Sequence, residues 1–150
     1  MNISSAGMND SEALMHTYLT DIAQQGNLDL IASIAHEDMV DEANQAFGGP
    51  AGRAGLVAHV KGFRRNVSDA ELQIHKIVGD EKEVMAWWSF TGKHIGPWLN
   101  VLPTNETITG TVFSFFELEG GLVRRYRLWL HADFDPPVIF DSRIGLKEKS

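Results

Sequence analysis

The chain contains no cysteine among its 150 residues. Disulfides, thiolate metal sites and thiol nucleophiles are therefore excluded. No stretch approaches the roughly 20 apolar residues that a membrane span needs. The opening MNISSAGMNDSEAL has neither a basic region nor an apolar core, so it predicts no secretory leader. Together with the missing cysteines, these absences lead to the expectation of a cytoplasmic protein. Cations are in short supply: 13 Lys and Arg stand against 20 Asp and Glu, a formal net charge of -7. That balance argues against nucleic acid or an anionic membrane as partner. The six histidines show no His-x-x-x-His or His-x-His spacing, so no metal site is expected. The glycine-rich GGPAGRAG matches neither a Walker loop nor the Gly-x-Gly-x-x-Gly dinucleotide turn. A Gly-x-Ser-x-Gly nucleophile elbow is missing as well. There is no internal repeat, no low-complexity segment and no linker.

What is present is an ordinary globular balance, 43% hydrophobic and 22% charged, at a length that suits one domain over 1–150. Asn9-Asp10-Ser11 can cap a helix that carries Leu14, Met15, Tyr18, Leu19 and Ile22 at helical spacing. Gly26 stops it. Leu28, Ile31, Ile34 and Ala35 form the stripe of a short second helix, and the chain is extended around Met39 and Val40. Leu56, Val57, Val60 and Phe63 make a third helix, ending near Asn66. After Ser68 the period changes from 3.6 to 2. AELQIHKIV places Leu72, Ile74 and Lys76 on one face. VMAWWSFTG, TITGTVFSFFEL and LVRRYRLWLHAD follow as long strands, the last two joined by a tight EGG turn. Helices followed by a meander of strands predict an α+β layout. The tail beyond Pro136-Pro137 is expected to leave the sheet, because consecutive prolines cannot continue a ladder.

Val84, Ala86, Trp88 and Phe90 share one face of their strand, and Met85 and Trp87 share the other. A sheet covered by helices on one side should be polar on its far side. Two apolar faces therefore predict a homodimer formed through the sheet.

The segment SFTGKHIGPWLNVLPTNETITG carries the pattern Gly92-x-His94-x-Gly96-x-x-Leu99-x-x-x-Pro103-Thr104 before a Thr/Val-rich strand. It resembles the SnoaL-like polyketide cyclases of the NTF2-like (ketosteroid isomerase-like) superfamily. NLDLIASIAHEDMVDE, GGPAGRAGLVAHVKGFR and FELEGGLVRRYRLWL resemble other parts of that family, so the likeness covers roughly residues 12–133. The resemblance implies a cone-shaped barrel, a curved antiparallel sheet wrapped around the N-terminal helices and enclosing a deep apolar cavity. It implies cofactor-independent acid/base chemistry, an aldol-type cyclisation or an isomerisation (lyase or isomerase chemistry), on an apolar, carbonyl-bearing polyketide-like small molecule. Epoxide opening, assistance to a hydroxylation and non-enzymatic ligand binding remain open in the same fold. The acidic position of the family's last strand falls on His131 here. Glu42 stands where many relatives carry a histidine, Asn105 where glycine is usual, and the tail does not match the usual helical ending.

In YRLWLHADFD, residues Arg127, Trp129, His131 and Asp133 alternate onto one face. His131 and Asp133 are the expected acid/base pair if that face walls the cavity, and a wall histidine with a strand-end cap if it does not. Arg127 can meet a ligand carboxylate or form a structural ion pair. Trp88, Trp98, Trp129 and Phe116 are expected to shape a pocket for a flat ligand, the alternative being ordinary core. His94 can polarise a substrate carbonyl or hold its loop. Glu42 and Glu117 are weaker candidates for the cavity.

Overall fold

The computed structural model describes residues 7–148. Helix α1 (Asp10–Thr17) begins with a capping box. The Asn9 side chain accepts the Glu12 backbone N–H at 2.9 Å, and Glu12 accepts the Asn9 N–H at 3.1 Å. Two donors orphaned at the helix start are thereby satisfied. Asn9 also donates to the Gly79 carbonyl at 2.9 Å, so the cap pins the helix to the sheet. The helix continues in wider π turns over Tyr18–Gln24 and ends at Gly26, whose φ is 81°. A 3-10 turn (Leu28–Leu30) leads into the four-residue α2 (Ile31–Ile34). Strand β1 (Ala35–Asp41) starts at Ala35, which the helical stripe had claimed, and gives way at once to α3 (Glu42–Ala46). This short α3 adds a fourth helix to the three expected. The long α4 (Arg53–Asn66) then packs Leu56, Val60 and Phe63 into the core.

Six strands follow: β2 (Val67–Gly79), β3 (Glu83–His94), β4 (Thr107–Glu119), β5 (Leu122–Ala132), β6 (Val138–Asp141) and β7 (Gly145–Glu148). They pair antiparallel in sequence order, and β1 joins alongside β5 in parallel. The result is a curved, unclosed seven-stranded sheet with helices against it. It has the cone-shaped α+β form that the resemblance implied.

Three local expectations are corrected. In β2 the register slips between Ile74, opposite Trp88, and Lys76, opposite Trp87. The bulge turns Lys76 out to solvent and Ile77 in. Pro136-Pro137 does interrupt the ladder, but the prolines lie in the connection between β5 and β6, where no ladder bond is required. The Val138-Ile139-Phe140 run then pairs back onto Ala132, His131 and Leu130, and the tail stays in the sheet.

The third correction concerns β5. Tyr126, Leu128, Leu130 and Ala132 are buried beneath the helices, while Arg127, Trp129 and His131 alternate outward. The face expected to wall the cavity is the outer one. The physical reason is that the even-numbered face carries Tyr126 and the aliphatic side chains, which the helices can bury. The odd-numbered face carries a guanidinium, whose desolvation would be costly.

Candidate active site

A cavity of about 310 Å³ lies between α4 and the inner face of the sheet. One helical face of α4 supplies Ala58, His59, Gly62, Phe63 and Asn66, residues one turn apart. α3 adds Ala43 and Asn44, Phe47 follows at its end, the sheet adds Leu128, Leu130 and Phe140, and the Pro97–Asn100 turn completes the wall. The lining is mainly apolar with a few polar groups, the composition of a small-molecule site.

Its most reactive feature is a histidine–carboxylate pair. His59 Nδ1 lies 2.8 Å from Asp41 Oδ2, with the Asp41 side chain 1% exposed and that of His59 24%. Asp41 ends β1 and caps α3, where its Oδ1 accepts the Asn44 backbone N–H at 3.0 Å. The cap therefore fixes the carboxylate, and the carboxylate fixes the ring. A carboxylate offers only acceptors, so Nδ1 carries the hydrogen and Nε2 keeps the lone pair. The ring also stacks on Tyr126, with centroids 5.7 Å apart and planes 14° from parallel. Burial works against charge on His59, but the charge and hydrogen bond of Asp41 outweigh it. Its pKa is raised above the ordinary value of 6.5. Behind the pair, Trp88 Nε1 donates to Ser114 Oγ at 3.0 Å, and Ser114 shares a 2.8 Å hydrogen bond with Tyr126. Burial pushes the Tyr18 and Tyr126 phenols up, holding them protonated at neutral pH.

The far end is built by a tight turn. Trp98 and Val101 exchange backbone hydrogen bonds at 3.1 and 2.9 Å around Leu99 (φ 53°) and Asn100 (φ 60°). Both central residues are left-handed, as in a type I′ turn, and a leucine adopts that conformation only at a cost of about 1–2 kcal/mol. The strain sets Leu99 and Asn100 into the cavity wall. His94 secures the base of this loop. It is fully buried, and its Nδ1 accepts the Thr104 backbone N–H at 3.2 Å. Among the described residues its Nε2 finds no hydrogen-bond partner, and burial lowers its pKa below the usual histidine range.

The sequence profile of the SnoaL-like polyketide cyclases matches residues 13–132. The chain belongs to the SnoaL-like polyketide cyclase family. Several solved structures share the fold of this SnoaL-like chain. TsrD from Streptomyces laurentii is 20% identical, with a TM-score of 0.68 over 83% of this chain and 88% of its own. A SnoaL-like polyketide cyclase from Agrobacterium tumefaciens is 16% identical, with a TM-score of 0.68 over 84% and 93%. IdmH from Streptomyces antibioticus is 18% identical, with a TM-score of 0.62 over 81% and 91%. A search of curated proteins finds no match.

Of the residues singled out in the SnoaL-like sequence, the cavity receives Trp98. The others line other parts of the structure. His131 lies on the outer face, its ring 6.4 Å from that of Trp129. Asp133 is exposed beyond the strand end, where its backbone N–H donates to the Thr109 carbonyl at 2.9 Å. Trp129 packs outside against Phe113, centroids 5.9 Å apart. Arg127 forms ion pairs with Glu42 (3.0 Å) and Glu117 (3.3 Å). Trp88 and Phe116 are interior core, Phe116 set edge-on to Tyr18 and Tyr126. Among the described residues, no three His, Cys, Asp or Glu gather as a metal would require. No helix there is long and apolar enough to cross a membrane.

Sequence reasoning missed His59, Asp41, Asn44, Asn66 and Asn100. One signal was available for the first pair. Asp41 precedes a short Glu-Ala-Asn run as an N-cap would, and His59 borders the Leu56, Val60, Phe63 stripe.

Proposed function

We propose that this chain is an acid/base enzyme acting on an apolar, carbonyl-bearing small molecule, with His59 as the base and Asp41 as its orienting partner. The observation that carries this is the 2.8 Å Asp41–His59 pair at the wall of an apolar cavity. Neutral His59 takes a proton from the carbon next to a carbonyl through Nε2, and its pKa above 6.5 makes it a competent base near neutral pH. The imidazolium that forms faces the buried Asp41 charge. In an aldol-type cyclisation, the enolate carbon attacks a second carbonyl of the same molecule and forms the ring bond. The resulting alkoxide recovers the proton from His59, so no net proton is consumed. In an isomerisation the same proton returns to a different carbon. Neither course needs a cofactor. The cavity's open volume of about 310 Å³ favours this reading over a scaffold filled by its own side chains.

The probe is exchange of the methyl-ketone protons of 2-acetylnaphthalene in D2O, followed by proton NMR. The wild type is expected to accelerate exchange over buffer, and His59→Gln to return it close to the buffer rate. No acceleration, or an unchanged His59→Gln, overturns the assignment.

We propose further that a second copy covers the outer face of the sheet. Met85, Trp87 and Phe113 are 42%, 45% and 40% exposed there, and Trp87 and Phe113 stack with centroids 6.2 Å apart. A contiguous exposed aromatic patch of this kind marks an interaction surface. Light scattering is expected to find a dimer that Trp87→Glu with Phe113→Glu dissociates. A monomeric wild type at micromolar concentration would contradict it.

A further inference from the structure

Glycine is disfavoured inside a helix, because it frees the unfolded backbone and packs nothing. Gly62 nevertheless occupies the middle of α4. The other glycines of the chain account for themselves. Seven have positive φ in turns and loops. Six others would drive a Cβ to under 3.0 Å from a neighbouring atom, as Gly110 would against Phe90 and Gly55 against Asn44. Gly62 has neither reason: its backbone is helical, and among the described residues a Cβ there would meet no atom within 4 Å apart from its own stretch of helix. The open space above it is the cavity itself, which Gly62 lines. It stands one turn after His59 and one turn before Asn66, with Leu128, Leu130 and Phe140 lining the same cavity from the sheet. From His59 to Asn66 the helix rises about 10 Å, at about 1.5 Å per residue. Two polar side chains, His59 and Asn66, therefore stand about 10 Å apart along this wall, with Gly62 between them.

We propose that Gly62 is a specificity-determining residue, the bare floor of a slot for a planar fused-ring ketone. The rings lie against the backbone of α4 at Gly62. The carbonyl end meets His59, and the far edge meets Asn66 and Trp98. A side chain at position 62 would lift the rings off the helix and tilt the carbonyl away from Nε2. Only the placement of the carbonyl rests on the acid/base reading; the slot itself rests on shape.

The test compares two methyl ketones with equal numbers of heavy atoms, planar 2-acetylnaphthalene and globular 1-acetyladamantane, by calorimetric titration. The wild type is expected to favour the planar ketone about tenfold or more, and Gly62→Ala to weaken its binding by about tenfold, the effect of one methyl in a fitted pocket. The same substitution is expected to raise the Tm of the unliganded protein by about 2–4 °C, since alanine favours helix and meets no protein atom. Rising stability with falling affinity is a combination that neither a packing glycine nor a neutral surface glycine would produce. A wild type that binds neither ketone or does not prefer the planar one overturns the slot. So does a Gly62→Ala variant with unchanged or tighter binding of the planar ketone, or one with a lowered Tm. His59→Gln separates the two proposals: it is expected to lose proton exchange and keep the planar preference. Exchange without a planar preference would sink the slot alone, and the preference without exchange would sink the acid/base reading alone.

Discussion

Leu128 and Leu130 on one face of β5 help to wall the cavity, while Arg127, Trp129 and His131 on the other face look outward. The two sets are neighbours in sequence and differ in everything that follows. The inner set borders a mainly apolar cavity that one oriented histidine lines. The outer set carries an ion-pair network and an aromatic ladder. An ionisable side chain acquires chemistry from the space it faces and from its partner. His131 has a carboxylate two residues away in sequence. His59 has one in contact, 18 residues away.

The widest separation between the faces is expected in catalysis. In the exchange assay, His59→Gln should lower the rate by about 10²–10⁴, the contribution of a general base. His131→Gln should change it less than twofold. Comparable losses from both would erase the distinction.

Stability should divide the faces next. Leu130→Ala is expected to cost about 2 kcal/mol in urea unfolding, at the low end for a buried leucine because it already borders open space. Arg127→Ala should cost about 0–1 kcal/mol and less in high salt, since its side chain is 38% exposed. A larger loss from Arg127→Ala than from Leu130→Ala would mean that the outer network, and not the inner wall, holds β5.

The pH dependence is subtler. His59 has its pKa raised by Asp41 against the opposing effect of burial, so its pairing contributes fully below about pH 6.5 and is lost as pH rises through the folded-state value. Activity, which needs neutral His59, should rise along an acid limb centred above 6.5, and Asp41→Asn should move that limb to lower pH. His94 runs the other way. Burial lowers its pKa, so its contribution is present above about pH 6.5 and fades on acidification. A limb that Asp41→Asn leaves in place would detach it from the His59 pair.

The comparison also shows what could be read before the fold was known. The helical stripe Leu56, Val60, Phe63 and the alternation in VMAWWSFTG and YRLWLHAD each bury one face, so elements and order were legible from their periods. The SnoaL-like likeness in the His94–Thr104 segment supplied the cone. Alternation alone says that residues separate onto two faces but is silent on which face is inside. The arginines at 125 and 127 were the signal that the odd face is outer. The bulge near His75 shifts a register by one residue and leaves no periodic trace. Asp41 and His59 lie on different elements, and only the packing of α4 against β1 and α3 joins them. Trp98 was legible because a large apolar residue in a loop between strands has few packing reasons to be there.

The most direct measurement is a histidine-selective proton–carbon NMR titration with 2-acetylnaphthalene, using His59→Gln and His131→Gln to assign two of the six rings. The expected result is that His59 titrates above 6.5 in the free protein and that its resonances move as the ketone binds while those of His131 stay in place. Movement of His131 with a silent His59 would contradict the inner-face site.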